Sequence, residues 1–571
     1  MYIRHVEIDN YRAFRNFEIT LTSLNLIIGE NEAGKTNLFD ALALPLNSND
    51  ISFSKKRLSV SDINRDAIST FYQAIIDEEP DEKIRALIPR VRVEVEFTDP
   101  SIAYQKKIVS KWVYGDPTDD AYRIKYESAP KDEDDFIKIA KDMLAEKGEV
   151  KETRWFTLPI DQYDYGITIV HNGKKASYSD LQHIAINSIN ADRDDFSDSN
   201  TQRSNDMLTK MLVTSLESHE KASINNAYES FFKSIENTKT FEKIIKPTPE
   251  FKNFFDHLDQ NECIPNLPDL KSILSNITLK SGESYLYQRG LGYRNLVYIF
   301  LLFEYFRTNR FQFNLCCIEE PEAHLSVNNL RVATDFIYKS TKECNPKLQT
   351  LVSSHNHQVI NKLKLSNVIV VSGDNAIQLS DIGDELQNYL RKRPNFDILK
   401  LLFSDRTILV EGTTEEMLIN SILSTDSENI HRIEVISIGQ KGFKSFMDIW
   451  LKINKGNDKK KLGVIRDRDD LVKDKAAKTA HEKYDTDNTN IIVRTTTEYT
   501  LEDDLVRAGK NLVHLKSIFS RNNDNDEQMS TYLKNGKAER MLKLCDAIID
   551  DKKPKEITLP THIQEVVDFL K

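Results

Sequence analysis

The feature that most constrains the fold is an eight-residue loop, Gly29-Glu-Asn-Glu-Ala-Gly-Lys-Thr36, which fits the pattern G-x-x-x-x-G-K-[ST]. The apolar run 24–28 predicts a short buried strand before the loop, and residues 36–42 predict a helix after it. In this setting backbone amides turn inward around phosphate oxygens, and the helix N-terminus adds partial positive charge. The chain is therefore predicted to contain a nucleotide-binding α/β domain.

ATP with Mg²⁺ is the predicted ligand of this loop. We expect Lys35 to reach the β- and γ-phosphates and the Thr36 hydroxyl to bind Mg²⁺. The other residues expected to contact the nucleotide are their neighbours in the loop and the helix: Gly29, Asn31, Gly34 and Asn37.

A second part of the ATP site is predicted where two apolar segments end in polar residues. Residues 315–318 run into Glu319, expected to hold Mg²⁺, and Glu320, expected to polarise the attacking water. Residues 351–354 precede His355, an arrangement that resembles ATPases of the ABC and SMC type, where a His after this strand contacts the γ-phosphate. A surface or core histidine is the alternative for His355.

Residues 289–295, Arg-Gly-Leu-Gly-Tyr-Arg-Asn, open a predicted apolar helix over 296–303. With Gly290 and Gly292, this loop resembles the degenerate signature loop of the same superfamily. In that class the signature loop of one subunit completes the ATP site of another. The full Ser-Gly-Gly form is absent, and a helix-capping turn is the alternative.

A separate set of acids lies in the C-terminal third of the chain. Glu411 follows a predicted buried strand, and Glu415 lies four residues further on, at the start of a predicted helix. Asp467 and Asp469 follow another predicted strand in a D-x-D pattern and can share a face. Four carboxylates at the ends of parallel strands repel one another unless divalent cations lie between them, as in two-metal phosphodiester chemistry. Solvated acidic turns are the alternative.

Two further residues are weaker candidates for this site. Glu502 would add a metal ligand, and Lys537 would stabilise the charge that develops on a cleaved phosphate. Exposed acids and lysines are common, so a plain surface role is the alternative for each. The predicted cofactors here are two divalent cations, Mg²⁺ or Mn²⁺.

The pattern of elements predicts two α/β domains. The first, over residues 1–395, carries a polar helical insertion at about 203–258. The second, over residues 396–571, alternates strands and helices as a parallel sheet does and ends in a helical region.

Composition and charge exclude several classes of protein. Hydrophobic residues make up 39% and charged residues 29%, which is globular, and the net charge of −11 excludes a chain-wide basic field for nucleic acid. The five Cys are too scattered for a disulfide framework, which favours a reducing compartment. The chain opens without an apolar signal core and has no apolar run near the ~20 residues of a membrane span, so we expect a cytoplasmic protein with no membrane contact.

Taken together, the motifs resemble the OLD (overcoming lysogenisation defect) family, in which an ABC/SMC-like P-loop ATPase domain is followed by a Toprim, Rossmann-like α/β domain. The segments that carry the resemblance extend over most of the chain: residues 8–14, the phosphate loop, residues 191–194, 289–295, 319–325, 354–355, 410–415, 438–442 and 467–469.

The resemblance implies specific roles. It assigns metal binding to Glu411, Glu415, Asp467 and Asp469, and less firmly to Glu502, while Lys537 matches a lysine that follows the Toprim core. It also implies a homodimer or homotetramer formed through inserted helices of the ATPase domain, for which 203–258 is the candidate here. The biological role implied is anti-phage defence, with a partner encoded alongside, either a helicase or a retron-type RNA with its reverse transcriptase.

The leading functional hypothesis is an ATP-binding and ATP-hydrolysing, divalent-metal-dependent DNA endonuclease that nicks its substrate. DNA would be held by backbone contacts from basic runs such as residues 391–393 and 459–461, for which a solvated face is the alternative. The second hypothesis is a non-cleaving, ATP-gated DNA clamp or sensor of the RecF or SMC type. A third class, Toprim topoisomerase or primase, is disfavoured because the chain leaves little room for a domain with a nucleophilic Tyr and offers no zinc module.

Overall fold

The computed structural model describes two compact units, residues 1–376 and 377–571. The described residues are 1–30, 32–48, 56–146, 156–189, 206–238, 269–275, 277–344, 346–381, 392, 398–425, 433–439, 442–454, 457, 459–468, 475–550 and 556–571. The predicted domain boundary at 395–396 lies outside the described residues and stays a prediction.

The strands are β1 Tyr2–Tyr11, β2 Phe14–Thr20, β3 Leu24–Gly29, β4 Asn47–Ser48, β5 Val91–Thr98, β6 Tyr122–Pro130, β7 Tyr163–Ile169, β8 Ile184–Ile189, β9 Lys280–Ser281, β10 Ser284–Tyr285, β11 Phe313–Glu319, β12 Leu348–Ser353, β13 Val368–Ser372, β14 Asn375–Gln378, β15 Arg406–Val410, β16 Ile433–Ser437, β17 Lys461–Arg466 and β18 Ile491–Thr495.

The α-helices are α1 Lys35–Leu42, α2 Arg65–Ile76, α3 Asp81–Ala86, α4 Ala103–Val109, α5 Glu133–Glu146, α6 Tyr178–Leu181, α7 Asp206–Ser215, α8 Ser218–Glu236, α9 Leu270–Leu274, α10 Leu291–Thr308, α11 Val327–Lys339, α12 His357–Leu363, α13 Ile398–Phe403, α14 Thr413–Leu423, α15 Phe443–Asn454, α16 Lys475–Asp487, α17 Leu501–Arg507, α18 Asn511–Phe519, α19 Asp526–Asn535, α20 Lys537–Ile548 and α21 Thr561–Leu570. Among these helices, none is both long enough and apolar enough to cross a membrane.

A seven-stranded sheet of order β14-β13-β3-β12-β11-β8-β4 forms the centre of the first unit. The strand pairs from β13 to β4 are parallel, and β3 and β12 are buried along their whole length. Strands buried on both faces read as continuous apolar runs, which is why the sequence located β3, β11 and β12. Because the carboxyl ends of parallel strands meet at one edge, the polar residues that follow β3, β11 and β12 are brought together there.

A second sheet, of order β2-β1-β5-β6-β7, is antiparallel throughout. The alternation of apolar and polar residues over 2–8 and 91–97 predicts two strands, which β1 and β5 confirm, but the sequence pattern does not predict β2. β2 pairs with β1 through the tight turn at residues 12–13, and its buried residues, Phe14, Phe17 and Ile19, are not in strict alternation. The absence of a period of two explains why the sequence pattern failed there.

Lys56 is a buried lysine beside the segment that follows α1, the helix after the phosphate loop. Its side chain is 1% exposed, and Nζ donates to the carbonyl oxygens of Ala43 at 2.9 Å, Leu44 at 2.7 Å and Leu46. These carbonyls belong to the segment that follows α1, and burial lowers the pKa of Lys56 to about 7. Lys56 therefore holds the backbone of residues 43–46 in place by donating hydrogen bonds to it.

Replacing Lys56 with methionine keeps the volume but leaves these three carbonyl oxygens without their donor. We expect the free energy of unfolding of the N-terminal unit to fall by about 2–4 kcal/mol, measured by urea denaturation. The control Lys106→Met, at an exposed position of α4, should change it by less than about 0.5 kcal/mol. Equal values for the two variants would contradict the role assigned to Lys56.

The predicted insertion over 203–258 is helical where the structure describes it, in α7 and α8. α7 packs against α9 and α10, so it belongs to the body of the unit. Residues 203–205 and 239–258 lie outside the described residues, and so does the family-like segment 191–194. The role of this region in oligomer formation stays a prediction.

The second unit is built on a parallel sheet of order β16-β15-β17-β18. The sequence predicts strands over 407–410, 433–438 and 462–465 and a helix over 415–423. β15, β16, β17 and α14 confirm them within one or two residues. Helices α17 to α20 follow the sheet in the chain, and α14 packs against α20. Glu411 and Asp467, two of the acids predicted to bind metal, lie at the carboxyl edge of this sheet.

Candidate active sites

The phosphate loop connects β3 to α1, as predicted. Gly34 takes a left-handed backbone conformation with φ at +93°, and a Cβ placed on it would lie 2.7 Å from the Phe14 ring, so glycine is required there. Lys35 Nζ donates to the carbonyl oxygens of Gly29 at 3.0 Å and Glu30 at 2.8 Å. Lys35 thus lies inside its own loop, where phosphate oxygens would take over its hydrogen bonds. Asn31 lies outside the described residues.

Arg12 in the β1–β2 turn holds the first turns of α1. Its Nε donates to Asp62 Oδ1 at 2.9 Å, and its Nη1 lies 2.5 Å from Asp40 Oδ2 and 3.4 Å from Asn37 Oδ1. Arg12 belongs to the segment 8–14, one of those that carry the family resemblance. Its contacts indicate that this segment supports the loop, with Arg12 acting on α1 and Phe14 acting on Gly34.

The acids at the end of β11 lie beside the end of β12. Glu319 pairs with Ser353 in the parallel ladder, and the Glu320 amide donates to the Ser353 carbonyl at 2.9 Å. Glu320 has φ at +41°, a conformation uncommon for residues other than glycine. His355 Nε2 lies 4.0 Å from Glu320 Oε1, and both side chains are partly exposed. The structure therefore brings Glu319, Glu320 and His355 to one edge.

Electrostatic coupling places Lys35 with these residues. Burial lowers the pKa of Lys35 from its usual value, and the carboxylates of Glu320, Glu319 and Glu30 act in the opposite direction. Burial also lowers the pKa of His355, and the Lys35 charge adds to this effect. A neutral His355 at pH 7 can accept a proton or a hydrogen bond beside Glu320.

Glu322 is a positioning residue that the sequence analysis missed. Its Oε1 accepts hydrogen bonds from Ser354 Oγ at 2.6 Å and from the His355 amide at 3.0 Å. It thereby ties the loop after β11 to the loop after β12 and fixes the backbone of His355. The position follows Glu319, Glu320 and Pro321 directly, but nothing in a single sequence shows that an acid there turns toward another strand.

The predicted signature loop contacts the segment that follows β11. A Cβ on Gly292 would lie 2.5 Å from the His324 carbonyl oxygen, so the close approach requires glycine. Asn295 Nδ2 donates to the Ala323 carbonyl at 3.0 Å, and Gly290 is the N-cap of α10. α10 extends from 291 to 308, longer than the predicted 296–303. These contacts lie within one chain, and a role for Gly290 and Gly292 in the ATP site of a second subunit stays a prediction.

The second candidate site is an acidic cluster, defined here as Glu411, Glu415, Asp467 and Glu502 with the cation Lys537. Glu411 follows β15 and Asp467 follows β17, which are neighbouring parallel strands. Glu415 lies in the first turn of α14, Glu502 in the first turn of α17, and Lys537 at the start of α20. Five separate elements therefore contribute to one edge of the sheet.

Lys537 joins the helices of this cluster. Its Nζ lies 3.3 Å from Glu502 Oε1 and 3.9 Å from Glu415 Oε1. Burial alone would lower the pKa of Lys537, but the carboxylates of Glu502, Glu415 and Asp467 together raise it above its usual value. Glu415 and Glu502 are almost completely buried, at 4% and 1% exposure. Carboxylates buried to this degree need cationic partners.

Asp467 is the acid whose ionisation is most strongly opposed. Burial and the negative charges of Glu415 and Glu411 raise the pKa of Asp467 to about 7, although Lys537 acts in the opposite direction. Like charges held in one site produce this shift, and a divalent cation would relieve it. The shift indicates that Asp467, Glu411, Glu415 and Glu502 lie close enough to repel one another.

The fit of this cluster to metal ions rests on its donor atoms. Oε2 of Glu502 is buried without a hydrogen-bond partner among the described residues, so an oxygen that prefers a cation is left over. In the part of the chain that is described, no three His, Cys, Asp or Glu side chains already converge to ligand distances. Asp469 lies outside the described residues. The oxygen-rich set suits hard cations such as Mg²⁺ or Mn²⁺, and the predicted shared coordination stays a prediction.

Asp504 and His562 support the helix that carries Glu502. The Asp504 carboxylate accepts hydrogen bonds from the amides of Thr497 at 2.7 Å and Glu498 at 2.8 Å, and His562 Nδ1 lies 3.0 Å from Asp504 Oδ2. Burial opposes the charge of Asp504, but these hydrogen bonds outweigh it and lower its pKa. The buried network fixes the loop before α17 and therefore the position of Glu502.

Two of the lysines predicted to contact the DNA backbone are not free to do so, because they donate hydrogen bonds within the unit. Lys460 is buried and donates to the Phe403 carbonyl at 3.0 Å, while Lys461 Nζ donates to the Phe569 carbonyl at 2.6 Å. These two lysines stabilise the unit internally, which leaves Lys459 as the exposed member of the run. Of residues 391–393, Lys392 is described and is exposed.

Comparison with known proteins gives matches to both units. The family model of an AAA ATPase domain matches residues 1–360, and the model of an overcoming lysogenization defect protein-like TOPRIM domain matches residues 402–469. The chain is 24% identical over 492 residues to Endonuclease GajA of Bacillus cereus (strain HuB5-5), a match that covers 76% of this chain and 70% of that protein.

Solved structures with some similarity include the SMC head bound to the C-winged helix domain of ScpA, at 16% identity and a TM-score of 0.31, covering 66% of this chain and 96% of that one. The SMC head domain from Thermotoga maritima has 12% identity and a TM-score of 0.28, covering 66% and 97%. RecF with ATP, from the RecFOR pathway, also has 12% identity and a TM-score of 0.28, covering 66% and 99%.

Proposed function

Because the chain belongs to the AAA ATPase domain family and carries an OLD-like Toprim domain after it, we propose that it is an ATP-dependent, divalent-metal-dependent DNA endonuclease that nicks its substrate. The two family matches confirm the resemblance to OLD-family ATPase–Toprim proteins and the fold class of a P-loop ATPase domain followed by a Toprim domain. The substrate, the metal and the mode of cleavage are proposals.

The first unit would hydrolyse ATP at the edge formed by β3, β11 and β12. Lys35 exchanges its two loop carbonyls for phosphate oxygens, and its position beside Glu319 and Glu320 supports this assignment. Glu320 accepts a proton from the attacking water, and His355 lies near enough to orient that water or the γ-phosphate. Thr36 and Glu319 would hold the Mg²⁺ of the nucleotide.

The observation that carries the nuclease proposal is that Glu411, Glu415, Asp467 and Glu502 share one edge of a parallel sheet, where Glu415 and Glu502 are buried and the pKa of Asp467 is raised. An acid with a purely structural role usually pairs with a cation, which lowers its pKa. In this cluster the carboxylates of Glu415 and Glu411 repel that of Asp467 and raise its pKa, at the carboxyl edge of a parallel sheet. Endonuclease GajA is named for the same class of reaction. The most economical reason to hold four acids together is to bind cations for phosphodiester hydrolysis.

Glu411, Glu415, Asp467, Asp469 and Glu502 would hold the cations. When bound, divalent cations supply an activated water and stabilise the leaving 3′-oxygen. Lys537, which is partly exposed and positively charged, holds a fixed positive charge beside the acids for the phosphate that develops negative charge. Burial of Glu415 and Glu502 keeps both carboxylates oriented toward this edge.

We further propose that the protein acts as a homodimer or homotetramer through its ATPase domain and serves in anti-phage defence, as the family resemblance implies. A partner encoded alongside, either a helicase or a retron-type RNA with its reverse transcriptase, belongs to the same proposal. Sedimentation of the full chain with and without ATP measures the oligomer directly.

A plasmid assay tests the proposed cleavage. Purified protein is incubated with supercoiled plasmid in Mg²⁺, Mn²⁺ or Ca²⁺, with and without ATP, and the nicked circle is quantified. We expect nicking in Mg²⁺ or Mn²⁺ that EDTA abolishes, and at least about a tenfold loss in Glu415→Gln, because the neutral amide can neither bind the cation as tightly nor balance Lys537.

Glu434→Gln is the matched control, since this half-exposed acid lies near the start of β16, at the opposite edge of the same sheet, and pairs with Lys400. It should nick as the wild type does. DNA binding without nicking by the wild type, in every metal and with ATP, would instead support the non-cleaving clamp.

A further inference from the structure

A pocket of about 450 Å³ lies along α19 and beside the start of α20. Its walls are formed by basic, amide and aromatic side chains and by one acid: Arg521, Glu527, Gln528, Thr531, Tyr532, Asn535 and Arg540. We call it the Arg540 pocket. Its volume is in the range of sites that hold a nucleotide-sized ligand.

Two arginines are fixed over one ring in this pocket. The guanidinium carbon of Arg540 lies 3.7 Å from the centroid of the Tyr532 ring, and that of Arg521 lies 4.4 Å from it. Arg521 also pairs with Asp524, and Phe519 packs edge-on against Tyr532. Stacking on an aromatic ring orients a guanidinium without using its hydrogen-bond donors.

Arg540 has an unused donor group. Its Nη1 is buried and has no hydrogen-bond partner among the described residues. A cation oriented in this way, with donors in a planar fork, matches the oxygens of a phosphate group. Thr531, Gln528 and Asn535 provide further polar atoms around the same space.

The same helix connects this pocket to the acidic cluster. Lys537, Arg540 and Lys543 follow one another at intervals of three along α20, so they lie on adjoining parts of its surface. Lys537 Nζ contacts Glu502 and Glu415, while Arg540 lies one turn further on. A polynucleotide strand that crosses the start of α20 would therefore meet the cluster and the pocket in succession.

We propose that the Arg540 pocket binds a phosphodiester group of the DNA strand, one or a few nucleotides from the bond at the acidic cluster. Arg540 and Arg521 contact the phosphate oxygens, and Glu527, the acid in the wall, limits the affinity. This inference rests on the proposed nuclease function, but it concerns binding and can fail independently of cleavage. A free mononucleotide carries a similar phosphate group and is the alternative ligand for the pocket.

The test measures binding without cutting. A fluorescein-labelled oligonucleotide, as single strand and as duplex, is titrated in EDTA with wild type, Arg540→Gln, Arg521→Gln, Glu527→Gln and the control Arg507→Gln. Arg507 is a half-exposed arginine at the end of α17, paired with Glu498 and outside the pocket. We expect Kd to rise about 5–20-fold in Arg540→Gln and Arg521→Gln, with a shallower salt dependence, and to change less than about twofold in Arg507→Gln.

Glu527→Gln guards against misfolding, because it removes only a rim charge and should tighten DNA binding. Unchanged Kd in both arginine variants and in Glu527→Gln would overturn the proposal. A loss of thymidine monophosphate binding in Arg540→Gln with unchanged DNA binding would overturn it in favour of a free nucleotide. If the wild type nicks plasmid and Arg540→Gln binds DNA normally, the proposed role of the pocket is rejected but the nuclease function is not. If DNA binding depends on the pocket but the wild type nicks in no metal, the nuclease function is rejected but the role of the pocket is not.

Discussion

Lys35→Ala is expected to reduce the kcat of ATP hydrolysis by about 10²–10³-fold, because the fixed positive charge at the β- and γ-phosphates is lost. Lys35 is the cation of the phosphate loop, held by the carbonyls of Gly29 and Glu30 and coupled to Glu319 and Glu320. Release of inorganic phosphate under saturating ATP and Mg²⁺ measures the effect. Cation binding at the acidic cluster should be unchanged.

Lys106→Ala serves as the control, since it removes a lysine from an exposed part of the same unit. It should hydrolyse ATP at the wild-type rate. Full ATPase activity in Lys35→Ala, with wild-type activity in Lys106→Ala, would contradict the assignment of the phosphate loop. The effect of Lys35→Ala on plasmid nicking then reports whether ATP activates or restrains cleavage.

The parts of the fold that the sequence predicted are those where one physical signal dominates. β3, β11 and β12 are buried on both faces and therefore appear as apolar runs, and the residues expected in the ATP site lie at or just after their carboxyl ends. The loop 29–36 is recognisable because positive φ and close packing at Gly34 allow few alternatives. The sequence pattern therefore predicts an element correctly where burial or backbone conformation within that element determines its structure.

The parts that the sequence did not predict depend on contacts between distant segments. Glu322 turns toward Ser354, Arg12 reaches Asp62, and Arg521 stacks with Arg540 on Tyr532. The run 459–461 shows the opposite error. Its charge suggested an exposed patch, but backbone carbonyls at the ends of other elements attract Lys460 and Lys461. Polar side chains are the hardest to place, because their partners are chosen only once the chain has folded.

Asp467→Asn is expected to make the metal-free protein more stable and nearly inactive. In the folded state, burial and the charges of Glu415 and Glu411 raise the pKa of Asp467 to about 7, against an ordinary value of 3.8. Because the pKa is raised, ionisation of Asp467 lowers the free energy of unfolding. The protonated group therefore stabilises the fold fully below about pH 4, and this stabilisation is lost as the pH rises toward 7. At pH 8 the neutral amide should therefore add about 2–4 kcal/mol to the free energy of unfolding.

The same substitution should abolish the benefit of cations. Mg²⁺ or Mn²⁺ stabilises the wild type by binding the folded state, and this increase in the thermal midpoint should be much reduced in Asp467→Asn, along with a loss of nicking of about 100-fold or more. Thermal unfolding in EDTA and in metal, at pH 5 and pH 8, measures both effects. The stability gain should be roughly halved or less at pH 5, where the wild-type acid is already protonated.

The exposed residue Asp546 on α20 provides the control, since Asp546→Asn removes one carboxylate from the same unit without touching the cluster. It should leave the midpoint, its response to metal and nicking unchanged. A protein that loses stability on Asp467→Asn in EDTA would show that Asp467 is a satisfied structural acid. Glu411, Glu415 and Asp467 repel one another, and this repulsion lowers the stability of the metal-free protein. Selection for stability alone would remove such repulsion, so its presence distinguishes a cation-binding site from an acidic surface turn.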